Sequence, residues 1–359
     1  MIKEYGYEYS AILQKSLLEE TQGKSANEML WGAIALRSGR DAIRIIAREC
    51  RGGDVLLPAL CCDSMIVPFE LYECHIHFYR LNKQLKAELS EISNMLDTFV
   101  QNSRPTVLLR CNYFGLDIIS DNDLFLLKSK YSNLVITDDI THTFLSKKER
   151  CSVADFSVAS LRKWSNVSDG GLLWTSNELK NNELFEDLTF AQQRLRAQCM
   201  RTEFFATGNE EIKKSYRSIF SSLSDVLDTG EQPIRMSEYA YRMAKNTDWE
   251  DIRLKRKENA DALRSVLKEI KGVCLIEDNL AESNLYVPFL LHNRNEIQTA
   301  LSRKGIFNTV IWPLRESQKD ICSTSKYIEE NMLAAPCDQR YSKEDMKYIG
   351  AEIAKAIYE

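Results

Sequence analysis

The sequence predicts an α/β fold: a mostly parallel sheet with one antiparallel strand, sandwiched by helices, plus a smaller C-terminal α+β domain. Three observations predict it. First, apolar strand-like runs alternate with amphipathic helical segments from residue 42 to residue 139, the pattern of a parallel sheet covered on both faces. Second, the strand-like runs Phe156–Leu161 and Gly171–Ser176 lie close together. A parallel crossover needs about a dozen residues or more, so these two pair antiparallel or flank a tight loop. Third, the chain beyond Pro233 mixes short strands with helices. With 359 residues there is enough chain for a large core and two domains.

In chain order, residues 1–30 read as a polar arm with a helical piece, anchored by Leu17–Glu20 and Asn27–Leu30. Ala42, Ile45 and Ile46, with Arg44, Arg48 and Glu49 opposite, form one face of an amphipathic helix. Asp54–Leu60 is a strand, Met65–Tyr72 a helix carrying Pro68, His75–Leu81 a strand and Ala87–Val100 a helix. Thr106–Tyr113 is a strand, Asp121–Tyr131 a helix and Leu134–Asp139 a strand. Residues 178–230 have helical spacing and few turn signals, and loops around 178–232 are expected to shape a substrate pocket. A long charged helix runs from Ser237 to about Leu267. Strands Val273–Ile276 and Leu285–Leu290 and helices Asn295–Arg303 and Lys343–Ile357 complete the chain. The expected organisation is an arm over 1–30, a large domain over 31–235 and a small domain over 236–359.

Composition excludes several classes. Hydrophobic residues make 44% and charged residues 28%, with no low-complexity tract, which argues against disorder. A net charge of −5 gives no electrostatic case for nucleic acid. No apolar run approaches the ~20 residues of a membrane span, and residues 1–7 lack a secretory apolar core, so a soluble cytoplasmic protein is expected. The ten cysteines form no C-x-x-C pair. His75 and His77 have no obvious third ligand, so no metal is expected.

One segment is not explained by packing. Ser160-Leu161-Arg162-Lys163 follows a strand and precedes Asp169-Gly170-Gly171, and about twenty residues upstream a strand ends in Asp138-Asp139. Together these suit pyridoxal phosphate. The lysine amine forms an imine with the aldehyde, a carboxylate keeps the pyridine nitrogen protonated, and the serine hydroxyl reaches the phosphate. Successive strand residues face opposite ways, so only one of the two aspartates points at a ring. Asp139 is the choice, because His142 then lies three residues on and stacks on the ring or touches its phenolic oxygen; Asp138 stays open as the alternative. Ser38-Gly39-Arg40-Asp41-Ala42 opens the first long helix, where free N–H groups suit a phosphate, although Ser38 and Asp41 also have the spacing of a capping box. Asn112-Tyr113-Phe114-Gly115 ends a strand and either contributes to the cleft or is an ordinary loop.

These residues resemble the DegT/DnrJ-type sugar aminotransferases among the fold-type I pyridoxal phosphate enzymes. Ser38 to Ala42 resembles that family's Ser-Gly-Thr-x-Ala helix start, and Asp54 to Ala59 its D-E-V-I-x-P-A strand. Tyr113-Phe114-Gly115 is similar to L-Y-G, and Asp139 to His142 resembles E-D-A-A-(Q/H). Lys163 to Gly171 matches K-N-L-x-x-G-E-G-G without a gap, Arg235-Met236-Ser237 resembles N-Y-R-M-S, and Pro336 with Asp338 to Ser342 is similar to the family's final segment. The resemblance implies a homodimer with shared active sites that transfers an amino group, usually from glutamate, to a nucleotide-linked keto-sugar. It implies that Lys163 holds the internal aldimine and then acts as the general base. It places Gly39, Arg40, Asp41, Cys62, Asp139, His142, Ser160 and Lys163 at the cofactor, with Lys163, Asp139 and His142 catalytic. The chain departs from the family in four places: Cys62 stands where an aromatic residue covers the ring, Arg40 where the phosphate helix has threonine, Pro233 where an asparagine reaches the neighbour's phosphate, and Asp169 where a glutamate precedes Gly-Gly. Two alternatives stand beside this: another pyridoxal phosphate reaction, a lyase or a desulfurase using Cys322, and a non-catalytic relative acting as an interaction or regulatory protein.

Overall fold

The computed structural model describes residues 3–11, 30–99, 104–181, 183–230, 232–276 and 284–359. The helical piece expected in the arm, with Leu17–Glu20, lies outside these residues.

The chain opens with strand β1 (Tyr5–Gly6), β2 (Ile34–Leu36) and helix α1 (Gly39–Glu49), whose apolar side chains Ala42, Ile45 and Ile46 are fully buried. Then follow β3 (Asp54–Pro58), α2 (Asp63–Glu70), β4 (His75–Tyr79), α3 (Leu89–Phe99), β5 (Thr106–Cys111), α4 (Asp121–Lys130) and β6 (Leu134–Asp139). Strands β7 (Phe156–Ser160) and β8 (Gly171–Thr175) flank the turn that carries Lys163.

These build a seven-stranded sheet in the order β2-β8-β7-β6-β5-β3-β4. Strands β4, β3, β5, β6 and β7 run parallel. Strand β8 runs against both neighbours, pairing Ser160 with Gly171 on one side and Leu36 with Gly171 on the other. It is therefore the one antiparallel strand, for the reason expected: the link to β7 is too short for a crossover. Strands β3 and β5 are buried along their whole length, as a sheet covered on both faces requires.

Residues 178–230 form two helices, α5 (Thr189–Thr207) and α6 (Glu210–Thr229). They are joined at Gly208, in the left-handed region at φ 70°, and at Asn209, whose side chain accepts from the Glu211 N–H at 2.9 Å. The expected long helix from Ser237 to Leu267 is also two, α7 (Glu238–Asn246) and α8 (Trp249–Leu267). It breaks because Asp248 caps α8, accepting from the Asp251 N–H at 3.0 Å, while the Trp249 indole N–H turns back to the Ala244 carbonyl at 3.0 Å.

The C-terminal part adds β9 (Cys274–Leu275), β10 (Tyr286–Leu290), α9 (Arg294–Arg303), β11 (Ile306–Phe307), α10 (Glu316–Ile321), α11 (Ser323–Asn331), β12 (Met332–Pro336) and α12 (Lys343–Tyr358). Strands β9, β10 and β12 make an antiparallel sheet. Its residues Val287, Phe289 and Leu333 share a core with Leu263, Leu301 and Ile349 from helices α8, α9 and α12. The arm is tied to this part by parallel pairing of β1 with β11. A third cluster, around Trp164, Trp174 and Trp249, packs α7 and the start of α8 against the Lys163 turn. Among the described residues, no helix is long and apolar enough to cross a membrane.

Candidate active site

The carboxyl ends of β3, β6 and β7 and the amino end of α1 converge on a cavity of about 480 Å³. Ligands collect at such ends in open parallel sheets, because the loops there diverge to either side. Gly39, Arg40, Cys62, Asp139, Ser160 and Lys163 all line it, with Thr141, Ser224 and Trp312. Segments more than a hundred residues apart in the chain thus meet at one void.

The two aspartates at the end of β6 separate cleanly. Asp138 turns to the opposite side of the sheet, where Arg110 donates to its carboxylate through Nε at 2.9 Å and Nη2 at 2.6 Å. Asp139 faces the cavity and accepts from the Thr141 N–H at 2.8 Å. Burial pushes its carboxyl above the usual carboxylate range, opposed by the Thr141 hydrogen bond and by nearby Lys163. The alternation of a strand, together with a buried arginine that occupies Asp138, leaves Asp139 beside the lysine.

Lys163 ends a short 3-10 turn, Leu161–Lys163, directly after β7. Its backbone carbonyl accepts from Tyr9 and Arg256, while its amine has no hydrogen bond or ion pair among the described residues. The turn is held by Trp164, whose indole N–H donates to the Thr141 carbonyl at 2.8 Å and so locks the loop after β7 to the loop after β6.

Close packing sets the amino end of α1. A Cβ on Gly171 would lie 2.1 Å from the Ser38 carbonyl carbon and 2.5 Å from the Gly39 nitrogen. Only glycine lets β8 approach that peptide so closely. Gly170 N–H donates to the Arg37 carbonyl at 2.7 Å, and Leu161 N–H donates to the Gly170 carbonyl at 3.1 Å. The Gly-Gly pair therefore fastens the helix start to the lysine turn. A Cβ on Gly39 would lie 3.4 Å from Ser160 Cβ, so the N–H groups of Gly39 and Arg40, the first of α1, stand beside the Ser160 side chain. Asp169, ahead of the pair, is buried and accepts from Ser237 N–H at 2.7 Å and Oγ at 2.6 Å, which binds α7 to the same turn.

Asp41 does not line the cavity. Its fully buried carboxylate accepts from Arg37 at 2.9 Å, Arg44 at 3.0 Å and Ser38 Oγ at 2.5 Å. It anchors the helix start rather than facing a ligand. His142 is buried behind the cavity, where its Nδ1 accepts from the Phe114 N–H at 3.2 Å and its ring lies 5.6 Å from that of Trp312. Burial, aided by Lys163, pushes its pKa well below the ordinary value, so the imidazole is neutral and the proton is on Nε2. Phe114 itself sits at φ 53°, and the hydrogen bond to His142 holds it there. Cys62 precedes α2 without a side-chain capping hydrogen bond, and its thiol meets Ser64 Oγ at 2.8 Å. Cys322 is buried between α10 and α11, with its thiol on the Leu81 carbonyl at 3.6 Å, and is not part of the cavity. Among the lining residues not singled out from the sequence are Arg162, Ser224 on α6 and Trp312.

No sequence-family profile matches the chain, and no curated protein sequence does. Solved structures share its fold. A DegT DnrJ EryC1 StrS aminotransferase from Brucella abortus superposes with a TM-score of 0.62 at 16% identity, over 96% of this chain and 91% of its own. PseC of Helicobacter pylori, an aminotransferase involved in the biosynthesis of pseudoaminic acid, gives a TM-score of 0.68 at 13% identity, over 99% and 100%. A Streptococcus pneumoniae protein described as a sugar aminotransferase, in its PLP form, gives 0.64 at 14% identity, over 98% and 92%. The chain has the mixed α/β fold of these fold-type I aminotransferases.

Proposed function

We propose that this chain is a pyridoxal phosphate-dependent aminotransferase. It moves an amino group from an amino-acid donor, glutamate-like, to a nucleotide-linked keto-sugar or a similar small carbonyl compound. The observation that carries the proposal is that the Lys163 amine, with no hydrogen bond or ion pair among the described residues, shares one cavity with the Asp139 carboxylate and with the Gly39–Ser160 cradle. The fold shared with sugar aminotransferases supports it.

The residues present fit the cofactor. The cavity offers helix N–H groups and hydroxyls at one end and a buried carboxylate at another, the donor set that a phosphate and a pyridinium require. When bound, pyridoxal phosphate supplies an aldehyde for an amine and a ring that accepts electrons. The N–H groups of Gly39 and Arg40 and the Ser160 hydroxyl are the groups that would hold the phosphate. Asp139, buried and facing the cavity, would hold a proton on the ring nitrogen, a pairing that the low-dielectric site would strengthen. Lys163, facing the same cavity, is the amine that would take up the aldehyde and the base that would move a proton. His142, neutral and fixed by Phe114, orients the wall that carries Trp312. Cys62 lines the cavity in place of an aromatic cover. The homodimer with shared sites and a cytoplasmic location belong to the same proposal.

The test is a pyridoxal phosphate titration followed by visible absorbance, then single turnovers with glutamate. A yellow band in wild type that glutamate bleaches, with 2-oxoglutarate formed, is expected. A band that bleaches only with elimination products would favour a lyase. No band at any cofactor concentration would leave a non-catalytic relative.

A further inference from the structure

Arg162 lies between Ser160 and Lys163 and is shared by two voids. One is the cavity described above; the other is a crevice of about 270 Å³ beneath Tyr7, Glu8 and Tyr9 of the arm. Its Nε is shut off from solvent without an acceptor, and the guanidinium makes no hydrogen bond or ion pair among the described residues. It rests on the Phe190 ring, 5.7 Å from the centroid. Three arginines around it are taken. Arg194 pairs with Glu8, Arg40 with Asp228 at 2.9 Å, and Arg340 with Asp338 at 2.7 Å. Burial, with Arg194 close by, pulls the Arg162 guanidinium down to about 9, and Glu8 only partly opposes this. Part of the guanidinium reaches the voids, but its Nε is closed off with no acceptor, and an anion in one of the two voids would supply the missing counterion.

The two voids differ in what they offer that anion. The crevice side already carries the carboxylates of Glu8 and Asp338. The cavity side carries the first N–H groups of α1 and the Ser160 and Ser224 hydroxyls. This second set is phosphate chemistry: several donors converging at a positive helix end. We propose that Arg162 is the counterion of the phosphate monoester held there, supplied by the same subunit whose lysine faces the cavity. The inference rests on the cofactor reading given under Proposed function and adds to it a residue that discriminates phosphorylated from unphosphorylated ligand.

The experiment compares pyridoxal phosphate with pyridoxal, which lacks only the phosphate, by absorbance titration of wild type, Arg162→Met and Arg162→Lys. One charge-assisted contact predicts about a 10- to 100-fold loss of pyridoxal phosphate affinity in the Met variant. Pyridoxal affinity should be unchanged, and the Lys variant should fall between. Equal losses for both ligands, or no loss, would overturn the proposal. Should the Met variant fail to fold, the Lys variant decides by the same ratio of affinities. A third arm measures a nucleoside diphosphate against cofactor-loaded protein: selective loss there, with the cofactor ratio intact, would assign the charge to substrate and overturn the proposal. Wild type that binds neither pyridoxal phosphate nor pyridoxal would overturn the cofactor reading itself, an outcome recognisable before any variant is compared.

Discussion

Gly171→Ala tests whether the Gly-Gly turn sets the cradle. The added Cβ would sit 2.1 Å from the Ser38 carbonyl carbon, 2.2 Å from its oxygen and 2.5 Å from the Gly39 nitrogen. An ordinary carbon–carbon contact is about 3.5 Å, so the peptide must retreat by about 1.4 Å. No flexible side chain can absorb this, because all three atoms are backbone and Gly171 pairs with β2 and β7 at once. The cost in stability should reach about 3 kcal/mol, the upper end for overpacking. Displacing the helix start by about 1 Å should also weaken cofactor binding or turnover by about 100-fold. Gly39→Ala provides the contrast, since its Cβ would only touch Ser160 Cβ at 3.4 Å, and its stability should fall by about 1 kcal/mol or less. Urea unfolding and a pyridoxal phosphate titration read both effects. A Gly171→Ala protein as stable as wild type, with full cofactor affinity, would refute the close-approach account.

Asp138→Ala and Asp139→Asn should separate structure from chemistry. The first strips a bidentate partner from buried Arg110 and should cost about 3 kcal/mol in urea unfolding. The second should leave the unfolding midpoint nearly unchanged but abolish amino transfer; the reverse pattern would mean that the roles are exchanged. His142 sets a pH dependence. Its folded pKa is depressed below the ordinary 6.5, so the unfolded chain takes up a proton that the folded chain refuses. Its contribution to stability is present above pH 6.5 and is lost as pH falls towards the folded value, by up to about 1.4 kcal/mol per unit. His142→Gln should flatten the wild-type loss of stability between pH 6.5 and 5.5, and parallel curves would contradict the neutral, buried imidazole.

What was legible in the sequence depended on whether the signal was local. The short spacing between Leu161 and Gly171 was enough to foresee an antiparallel pair or a tight loop, and Leu134–Asp139 matches β6 residue for residue. The strands Ile34–Leu36 and Met332–Pro336 were not foreseen. The first has three residues, and the second has no alternation because both its faces are buried. The breaks at Gly208 and Asp248 did carry local signals, a glycine and an aspartate cap, which the helical periodicity on either side outweighed. Lys163, Asp139, Ser160 and Gly39 could be picked out because strand ends and glycines mark them. Arg162 could not, since an arginine's isolation depends on which neighbours are already paired. Asp41 was drawn into the cofactor set by its place at the helix start, yet its carboxylate serves Arg37 and Arg44 from the same segment.

Borohydride reduction of the pyridoxal phosphate-treated protein, followed by peptide mass mapping, tests the central claim most directly. A single pyridoxyl phosphate adduct on Lys163, absent from the same peptide in Lys163→Ala, is the predicted result. No adduct, or one spread over surface lysines and unaffected by Lys163→Ala, would contradict it.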